Sequence, residues 1–230
     1  MSAPLVSCIV PVFNGALHLG ETIESILAQT YRPIEVLVVD DGSTDGSAEV
    51  AERYGDPVRV LRQANAGATE ARNAAVRVAR GDLIAFLDAD DLWSPEKLEV
   101  QLEHLAAHPE LDATFCQIEN FFDDEVARAE EARWREHDRV VGSYVLPTLV
   151  VRREALERVP LDGRWRHGDH VDWTLRAREA GVRFDVLPRV LAHRRRHAGN
   201  MSRTAEHAVF DDYFDLIKAK LDRARRAGDG

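Results

Sequence analysis

Three carboxylates follow a short apolar run and are the residues best suited to chemistry in this chain. The run at 82–87 is short and bounded, which is typical of a buried strand, and Asp88, Asp90 and Asp91 come directly after it. Open α/β sheets bind ligands at the carboxyl ends of their strands. If the chain stays extended there, Asp88 and Asp90 project to the same side and favour Mg²⁺ or Mn²⁺ shared with a phosphate. The alternative is a solvated acidic turn that caps the next helix.

Three further polar segments lie where predicted strands end, at residues 11–14, 40–45 and 65–73. Because parallel strands point the same way, their carboxyl ends converge on one crevice. Several acids and Arg72 therefore face a common pocket. This arrangement predicts a phosphate-bearing ligand with a metal between phosphate and carboxylates, but it does not identify the ligand.

The elements that must position these residues alternate in the first half of the chain. Apolar runs predict strands at 6–12, 34–39, 58–61 and 82–87. Helical patterns predict helices at 17–29, at about 44–54 with Thr44 or Asp45 as the cap, and at 66–80. Ser94 and Pro95 then begin another helix. This order predicts an α/β fold with a mostly parallel sheet and helices on both of its faces.

The second half is less regular. Strands are predicted at 112–122, 144–151, 182–187 and 190–193, a helix at 169–180, and an exposed helix or loop at 123–138. Pro147 argues against a central position for the strand that contains it. We expect one domain over 1–230, with a nucleotide-binding half to about 108, an acceptor half over about 109–203 and a C-terminal helix over about 204–226.

Composition narrows the class of protein. The chain has 230 residues, 45% of them hydrophobic, and a net charge of −10, which argues against nucleic-acid binding. Cys8 and Cys116 lie inside apolar runs, as expected of reduced thiols in a cytoplasmic protein. The chain shows no apolar run of about 18 residues and no secretory signal, so neither a membrane-spanning helix nor export is expected.

The four ordered motifs resemble those of family 2 glycosyltransferases, which have the GT-A fold and use a nucleotide-diphospho-sugar donor. The similarity is dense from Val6 to about Leu105 and resumes at about Asp169 to Ser202. It implies a Rossmann-like nucleotide-binding half joined to an acceptor-binding half. The motifs identify the fold specifically and the activity moderately specifically, but they identify the substrate only weakly.

The resemblance also implies roles for the donor side. Pro11, Phe13 and Asn14 would border the base, and Asp41 would accept a hydrogen bond from it, most naturally from uracil N3–H. Gly67 would let the backbone approach the nucleotide, and Arg72 would hold phosphate or shape the base pocket. Asp88, Ala89 and Asp90 would contact the ribose and a Mn²⁺ or Mg²⁺ ion, with Asp90 as the direct ligand. The alternatives are that Asp41 only stabilises its turn and that Arg72 is a surface charge.

The general base is less clear, because the family often opens its later helix with an acidic pair whose second member is the base. That pair falls on Asp169 and His170, so a histidine occupies the second position. Asp169 is our first choice, His170 is the second because imidazole suits proton removal near neutral pH, and Asp172 could also face the cleft. Asp169 as a helix cap, or a site without activity, remains open.

A basic segment at 193–200 is predicted to be a loop after a strand. By the same resemblance it would close over the diphosphate, with His197 completing the metal shell. Trp165 and Trp173 flank the acceptor region and could stack on a sugar or belong to the core. The C-terminal helix is basic and amphipathic; we favour packing on the domain over contact with an anionic membrane surface.

Together these features predict an inverting, metal-dependent glycosyltransferase that uses a UDP-sugar. The acceptor would be a glycan, a lipid-linked molecule or a small molecule. The location would be cytoplasmic, with peripheral contact at the inner membrane surface as a further option. The alternative function is a catalytically impaired module that binds nucleotide-sugars, for which His170 is the main support.

Overall fold

A computed structural model describes residues 3–122, 140–141, 144–165, 168–197, 215–216, 218–220 and 223. The described strands are β1 Val6–Val12, β2 Ile34–Asp40, β3 Val58–Arg62, β4 Leu83–Phe86, β5 Leu92–Trp93, β6 Ala113–Phe122, β7 Val140–Val141, β8 Val150–Arg152 and β9 Phe184–Arg196. The described helices are α1 Ala16–Leu27, α2 Ser47–Glu52, α3 Ala68–Val78, α4 Lys97–Ala107, α5 Arg153–Arg158 and α6 Asp169–Glu179.

The described strands form one mixed sheet in the order β3-β2-β1-β4-β8-β6-β9-β5, with β7 paired to β6. The pairs of β1 with β2 and β4, of β2 with β3 and of β6 with β9 are parallel. The pairings made by β5, β7 and β8 are antiparallel. The predicted α/β class is therefore confirmed. The sheet is parallel among β1 to β4, whose carboxyl ends lie at one edge, and mixed beyond β4.

The two faces of the sheet carry separate hydrophobic cores. Alternation along β1 sends Val6, Cys8 and Val10 to one core and Ile9 to the other. Helices α1, α2 and α4 contribute to the first core, and α3, α5 and α6 contribute to the second. Because both faces are covered, the strands read as nearly continuous apolar runs, which is why they were recognisable in the sequence.

One condition and one prediction about the chain beyond β4 were not met. The chain does not stay extended after Phe86 but turns, and the Asp91 N–H donates to the Asp88 carbonyl at 3.1 Å. Residues Leu146–Thr148 form a 3₁₀ turn that contains Pro147, and only Val150–Arg152 pair as a strand. Proline favours the turn because it supplies no N–H to a ladder. β8 is nevertheless central, between β4 and β6.

Strand β9 is longer than the sequence indicated. The two predicted short strands are one strand, and the basic stretch Arg194–Arg196 belongs to it instead of forming a loop. Its ladder with β6 shifts register between Phe115 and Ile118, which accommodates the irregular stretch around Pro188. His197 therefore follows a strand end directly, at the same edge as the acidic turn.

Helix starts also differ in detail. Helix α2 begins after Gly46, which has a φ of 87° and supplies no side-chain cap. Of the two predicted caps, Asp45 serves this helix start, because its carboxylate accepts the Ser47 N–H at 3.0 Å. The 123–138 segment lies outside the described residues, as do the apolar positions of the C-terminal helix at 210, 213, 214, 217 and 221. Leu216 is described and is buried.

Candidate functional site

The loops that follow β1 and β2 are held together as one unit. Asn14 has a φ of 51°, and its side-chain oxygen accepts a hydrogen bond from the Thr44 N–H at 2.8 Å. The Asn14 N–H in turn donates to Ser43 Oγ at 2.9 Å. Asp45 accepts a hydrogen bond from the Ala16 N–H at 3.0 Å, so this carboxylate caps the N-terminus of α1 from a different loop. Its negative charge also interacts favourably with the positive end of the helix dipole. The unit forms a wall at the carboxyl ends of β1 and β2.

Pro11 and Phe13 stand at different depths in that wall. Pro11 is buried within β1, whereas Phe13 lies beyond the strand end and is 53% exposed. An exposed aromatic ring at the carboxyl edge of the sheet is free to stack on a planar base. Phe13 is therefore a candidate base contact, while Pro11 supports it through the backbone.

Asp41 anchors the third loop of the site. Its carboxylate is buried and accepts three hydrogen bonds of 2.8 Å, from Gln63 Nε2, the Ala66 N–H and the Gly67 N–H. Gly67 has a φ of 92° and a ψ of 157°, a conformation that is essentially restricted to glycine. A Cβ on Gly67 would meet no atom of the described residues within 4 Å, so glycine is required there by the backbone and not by crowding.

Arg72 joins the acidic turn after β4 to the start of α6. Its Nη2 donates to Asp88 Oδ1 at 2.6 Å, and its Nη1 donates to Asp169 Oδ2 at 3.0 Å. Thr69, close to Arg72 on α3, donates its hydroxyl to the same Asp169 oxygen at 3.0 Å. The guanidinium is buried, so Arg72 is not a surface helix charge. No local pattern could reveal this contact, because Arg72 and Asp169 are 97 residues apart.

Asp169 opens α6 as an ionised, hydrogen-bonded carboxylate. Burial would raise its pKa, but the Arg72 guanidinium, His170 and Thr69 outweigh that effect and hold the pKa of Asp169 well below its usual range. Its Oδ1 accepts the His170 N–H at 2.8 Å, and the His170 imidazole Nδ1 lies 3.5 Å from the same oxygen. A carboxylate in these surroundings is a weak proton acceptor, whereas Nε2 of the half-buried His170 ring has no hydrogen-bond partner among the described residues.

Three other residues considered for the acceptor side belong to packing. Asp172 is fully buried and accepts from Arg176 Nε at 2.6 Å, so the expectation that it could face the cleft was wrong. Trp173 is core, with its indole N–H donating to the Val159 carbonyl at 2.8 Å. Trp165 is also buried, so neither tryptophan presents an open face to a sugar.

The acidic turn presents two carboxylates and buries the third. The side chains of Asp88 and Asp90 are 40% and 32% exposed, and His197 Nε2 lies 3.2 Å from Asp90 Oδ2. Ala89 lies between them; a Cβ added to Gly15 would stand 3.5 Å from its methyl group, so the turn packs against the start of α1. Burial, with Asp90 and Asp88 nearby, raises the pKa of Asp91 well above its usual range. Asp91 is a structural carboxyl.

The pair Asp90 and His197 fits a divalent ion by the chemistry of its donor atoms. Two adjacent ligands at about 2.1 Å from an octahedral ion lie roughly 3 Å apart, close to the 3.2 Å seen here. Oxygen and imidazole donors together suit Mn²⁺ better than Mg²⁺, which prefers oxygen alone. The described residues contain no group of three or more ligating side chains, so the remaining ligands would come from the diphosphate and water.

Sequence reasoning missed two residues that shape this turn, Arg195 and Glu21. Arg195 was grouped with a loop, yet it lies in β9 with its side chain almost fully buried and its Nη2 donating to Glu21 Oε2 at 2.5 Å. The only signal in the sequence was the alternation of Arg195 with His193 and His197, which places the three on one side of a strand.

The described residues of the C-terminal helix contact α6 and the core. Arg223 donates to Glu179 Oε2 at 2.9 Å and approaches Asp172 Oδ1 at 4.0 Å, and Leu216 is buried. These contacts agree with the expectation that the helix packs on the domain. Among the described residues, no helix has the length and apolar character needed to cross a bilayer.

The chain is similar to known proteins over its first two thirds. A model described as Glycosyl transferase family 2 matches residues 7–160. An uncharacterized glycosyltransferase of Rickettsia typhi is 43% identical over 103 residues, which are 45% of this chain and 32% of that protein. The match therefore spans about a third of the length of that curated relative.

Two solved structures share the fold over most of the chain. S. aureus TarS in complex with UDP-GlcNAc gives a TM-score of 0.73 at 21% identity and covers 92% of this chain and 65% of that one. The mannosyltransferase PcManGT from Pyrobaculum calidifontis, in complex with GDP-Man and Mn²⁺, gives 0.68 at 24% identity and covers 94% and 65%. The predicted GT-A type of fold is confirmed by these likenesses.

Proposed function

Because the chain belongs to glycosyl transferase family 2, we propose that it moves a sugar from a nucleoside diphosphate sugar to an acceptor hydroxyl with inversion at the anomeric carbon. The observation that carries this proposal is the link made by Arg72, which contacts Asp88 on the donor side and Asp169 on the acceptor side. This buried guanidinium therefore lies between the acidic turn after β4 and the start of α6.

The donor would occupy the crevice between the loop unit after β1 and β2 and the acidic turn. Phe13 would stack on the base, and Asp41 would accept from the base while it holds the 63–67 loop. Asp88 would contact the ribose. Asp90 and His197 would hold Mn²⁺ or Mg²⁺, whose charge would offset that of the departing diphosphate.

His170 is the general base that the surroundings favour, with Asp169 as the group that orients it. The contacts of Asp169 stabilise its ionised form, which lowers its basicity, and place a carboxylate oxygen 3.5 Å from His170 Nδ1. His170 Nε2 would take the proton of the acceptor hydroxyl. The acceptor oxygen would then bond to the anomeric carbon as the bond from that carbon to the diphosphate breaks, releasing the nucleoside diphosphate.

A UDP-sugar remains our first choice of donor, and a GDP-sugar is the second because the solved structures hold UDP-GlcNAc and GDP-Man. The acceptor would be a glycan, a lipid-linked molecule or a small molecule, reached at the cytoplasmic side. The packing of Arg223 against Glu179 gives the C-terminal helix a docking role that needs no membrane.

The test is a thermal-shift and turnover screen of UDP- and GDP-sugars with Mn²⁺, with Mg²⁺ and with chelator. We expect metal-dependent stabilisation by one sugar nucleotide, slow release of its diphosphate, and loss of both in Asp90→Ala. Stabilisation without any release on any acceptor would favour the second candidate, an impaired binding module, which the hydrogen-bonded state of Asp169 also suits. No response to any sugar nucleotide would refute both.

A further inference from the structure

Arg195 on β9 holds the acidic turn through its side chain and its backbone together. Its Nε donates to the Asp90 carbonyl at 2.9 Å, and its own N–H donates to Asp91 Oδ1 at 2.9 Å. The guanidinium carbon lies 4.8 Å from the centre of the Phe121 ring, and the side chain is 3% exposed. The turn is thus bound to β9 at two successive residues.

Helix α1 holds the same turn from the other side. Thr22 donates its hydroxyl to the Asp91 carbonyl at 2.9 Å. Its neighbour Glu21 accepts from Arg195 Nη2 at 2.5 Å, although the Glu21 side chain is itself largely exposed. The Glu21–Arg195 pair is here called the brace. In it Glu21 holds the Arg195 guanidinium, which in turn holds the backbone of Asp90.

We propose that the brace is a positioning device for Asp90 that sets the affinity of the site for a divalent ion; this inference rests on the proposed function. Neither residue of the brace would contact the ion. Arg195 acts through the main chain of Asp90, and Glu21 acts through Arg195.

The physical basis is the cost of ordering a ligand. A metal-binding carboxylate on an unrestrained turn must lose backbone freedom when the ion binds, and that loss weakens binding. The carbonyl of Asp90 accepts one charge-assisted bond here, and its neighbour Asp91 is fixed by two more bonds. The turn is then ordered before the ion binds, so only the Asp90 side chain must lose conformational freedom on binding. Groups that orient metal ligands in this way typically change metal affinity by about tenfold or more.

The variant that tests the brace is Glu21→Gln, because Glu21 is exposed and its substitution leaves the core intact. Mn²⁺ binding is titrated directly, by the electron paramagnetic resonance of free Mn²⁺, with UDP present and separately with GDP present. We expect the Mn²⁺ dissociation constant to rise about tenfold, while the turnover number at saturating Mn²⁺ stays near that of the wild type. Arg195→Lys, which keeps the charge but loses the Nε contact, should show the larger rise.

Two matched controls use the same elements. Glu24→Gln removes a carboxylate one turn further along α1, where it accepts from the Tyr54 hydroxyl, and Arg189→Gln removes an exposed arginine of β9. Both should leave Mn²⁺ binding unchanged. The double variant Glu21→Gln/Arg195→Lys should be no weaker than Arg195→Lys alone, because Glu21 acts only through Arg195.

The outcomes separate the brace from the proposed function. If the wild type binds Mn²⁺ with a nucleoside diphosphate but Glu21→Gln binds it equally well, the brace is wrong and the transferase proposal stands. If Glu21→Gln and Glu24→Gln weaken binding alike, the effect is one of general charge and the brace is again wrong. If the wild type itself binds no Mn²⁺ with either diphosphate, the proposal of a metal-dependent donor site is wrong, and so is the proposed role of the brace.

Discussion

Several side chains in this crevice each contact more than one partner through hydrogen bonds or ion pairs, and these contacts limit the roles that the side chains can have. Arg72 contacts two acids, and Asp169 accepts from Arg72, Thr69 and His170. A carboxylate with this many donors stays ionised and binds a proton weakly. The sequence predicted that Asp169 and His170 open a helix near the acceptor. It ranked Asp169 ahead of His170 as the base, and the donors that support the opposite order come from α3, far away in the sequence.

At the scale of single residues, we predict that His170→Gln mainly lowers turnover, whereas Asp169→Asn mainly lowers stability. His170→Gln should lower turnover by about 10²–10⁴ if it removes the base, with stability unchanged. Asp169→Asn should lower the free energy of unfolding by about 2 kcal/mol, because it leaves the buried Arg72 with one acid in place of two. Turnover of a sugar nucleotide and urea denaturation measure the two effects.

The pH dependence of the second effect has a definite sign. The pKa of Asp169 is lowered on folding, so its stabilising contribution is complete above the unfolded pKa of about 3.9 and is lost as the pH falls toward the folded pKa. The stability gap between wild type and Asp169→Asn should therefore narrow below about pH 4. A larger loss of turnover in Asp169→Asn than in His170→Gln would return the role of base to Asp169.

At the scale of elements, the sequence predicted β1 to β4 and β6 at nearly their observed bounds, but it missed β5 and β7, made β8 too long and divided β9 in two. β1 has the predicted bounds Val6–Val12, because burial on both faces gives a continuous apolar run. β9 reads as two short runs with a basic tail, yet it is one strand because β6 lies beside it over its whole length. The pairing partner, and not local propensity, extends it through Arg196.

The loop between β3 and α3 depends on the backbone conformation of Gly67, and Gly67→Ala tests that dependence. A φ of 92° with a ψ of 157° is costly for alanine, by about 1–3 kcal/mol. We expect this substitution to shift the start of α3, break the bond from the Gly67 N–H to Asp41 and weaken binding of UDP, as calorimetry would measure.

The matched control for this substitution is Gly55→Asn. Gly55 has a φ of 58°, a left-handed conformation that asparagine tolerates. We expect a loss within about 0.5 kcal/mol for this variant and unchanged nucleotide binding. Equal melting temperatures and equal UDP affinity for Gly67→Ala and wild type would show that the loop does not depend on that conformation.

At the scale of the whole molecule, the core between the sheet and the helices contains a buried cation that the sequence did not predict. Lys97, at the start of α4, is fully buried; its ammonium lies 4.2 Å from the centre of the Trp93 ring and has no hydrogen-bond partner among the described residues. Burial lowers the pKa of Lys97 to about 8. The chain thus keeps a charged group where a hydrocarbon would pack at lower cost.

We predict that Lys97→Met raises the free energy of unfolding at pH 7 by about 2 kcal/mol, after allowing for the lost contact with Trp93. The unfolded pKa is about 10.4, so between pH 8 and 10 the unfolded chain binds more protons and wild-type stability rises with pH. The advantage of Lys97→Met should shrink over that window in urea denaturation. Lys218→Met, at an exposed position, is the control. A less stable Lys97→Met at pH 7 would mean that the ammonium is net stabilising.

The double contact of Arg72 limits how such proteins can be recombined. A segment carrying a new acceptor specificity, spliced in after α4, must bring an acid to the place of Asp169, or the guanidinium loses one of its two counter-charges inside the fold. Chimaeras made from this chain should therefore lose stability whenever the exchanged piece lacks an acid at that place, however similar it is elsewhere.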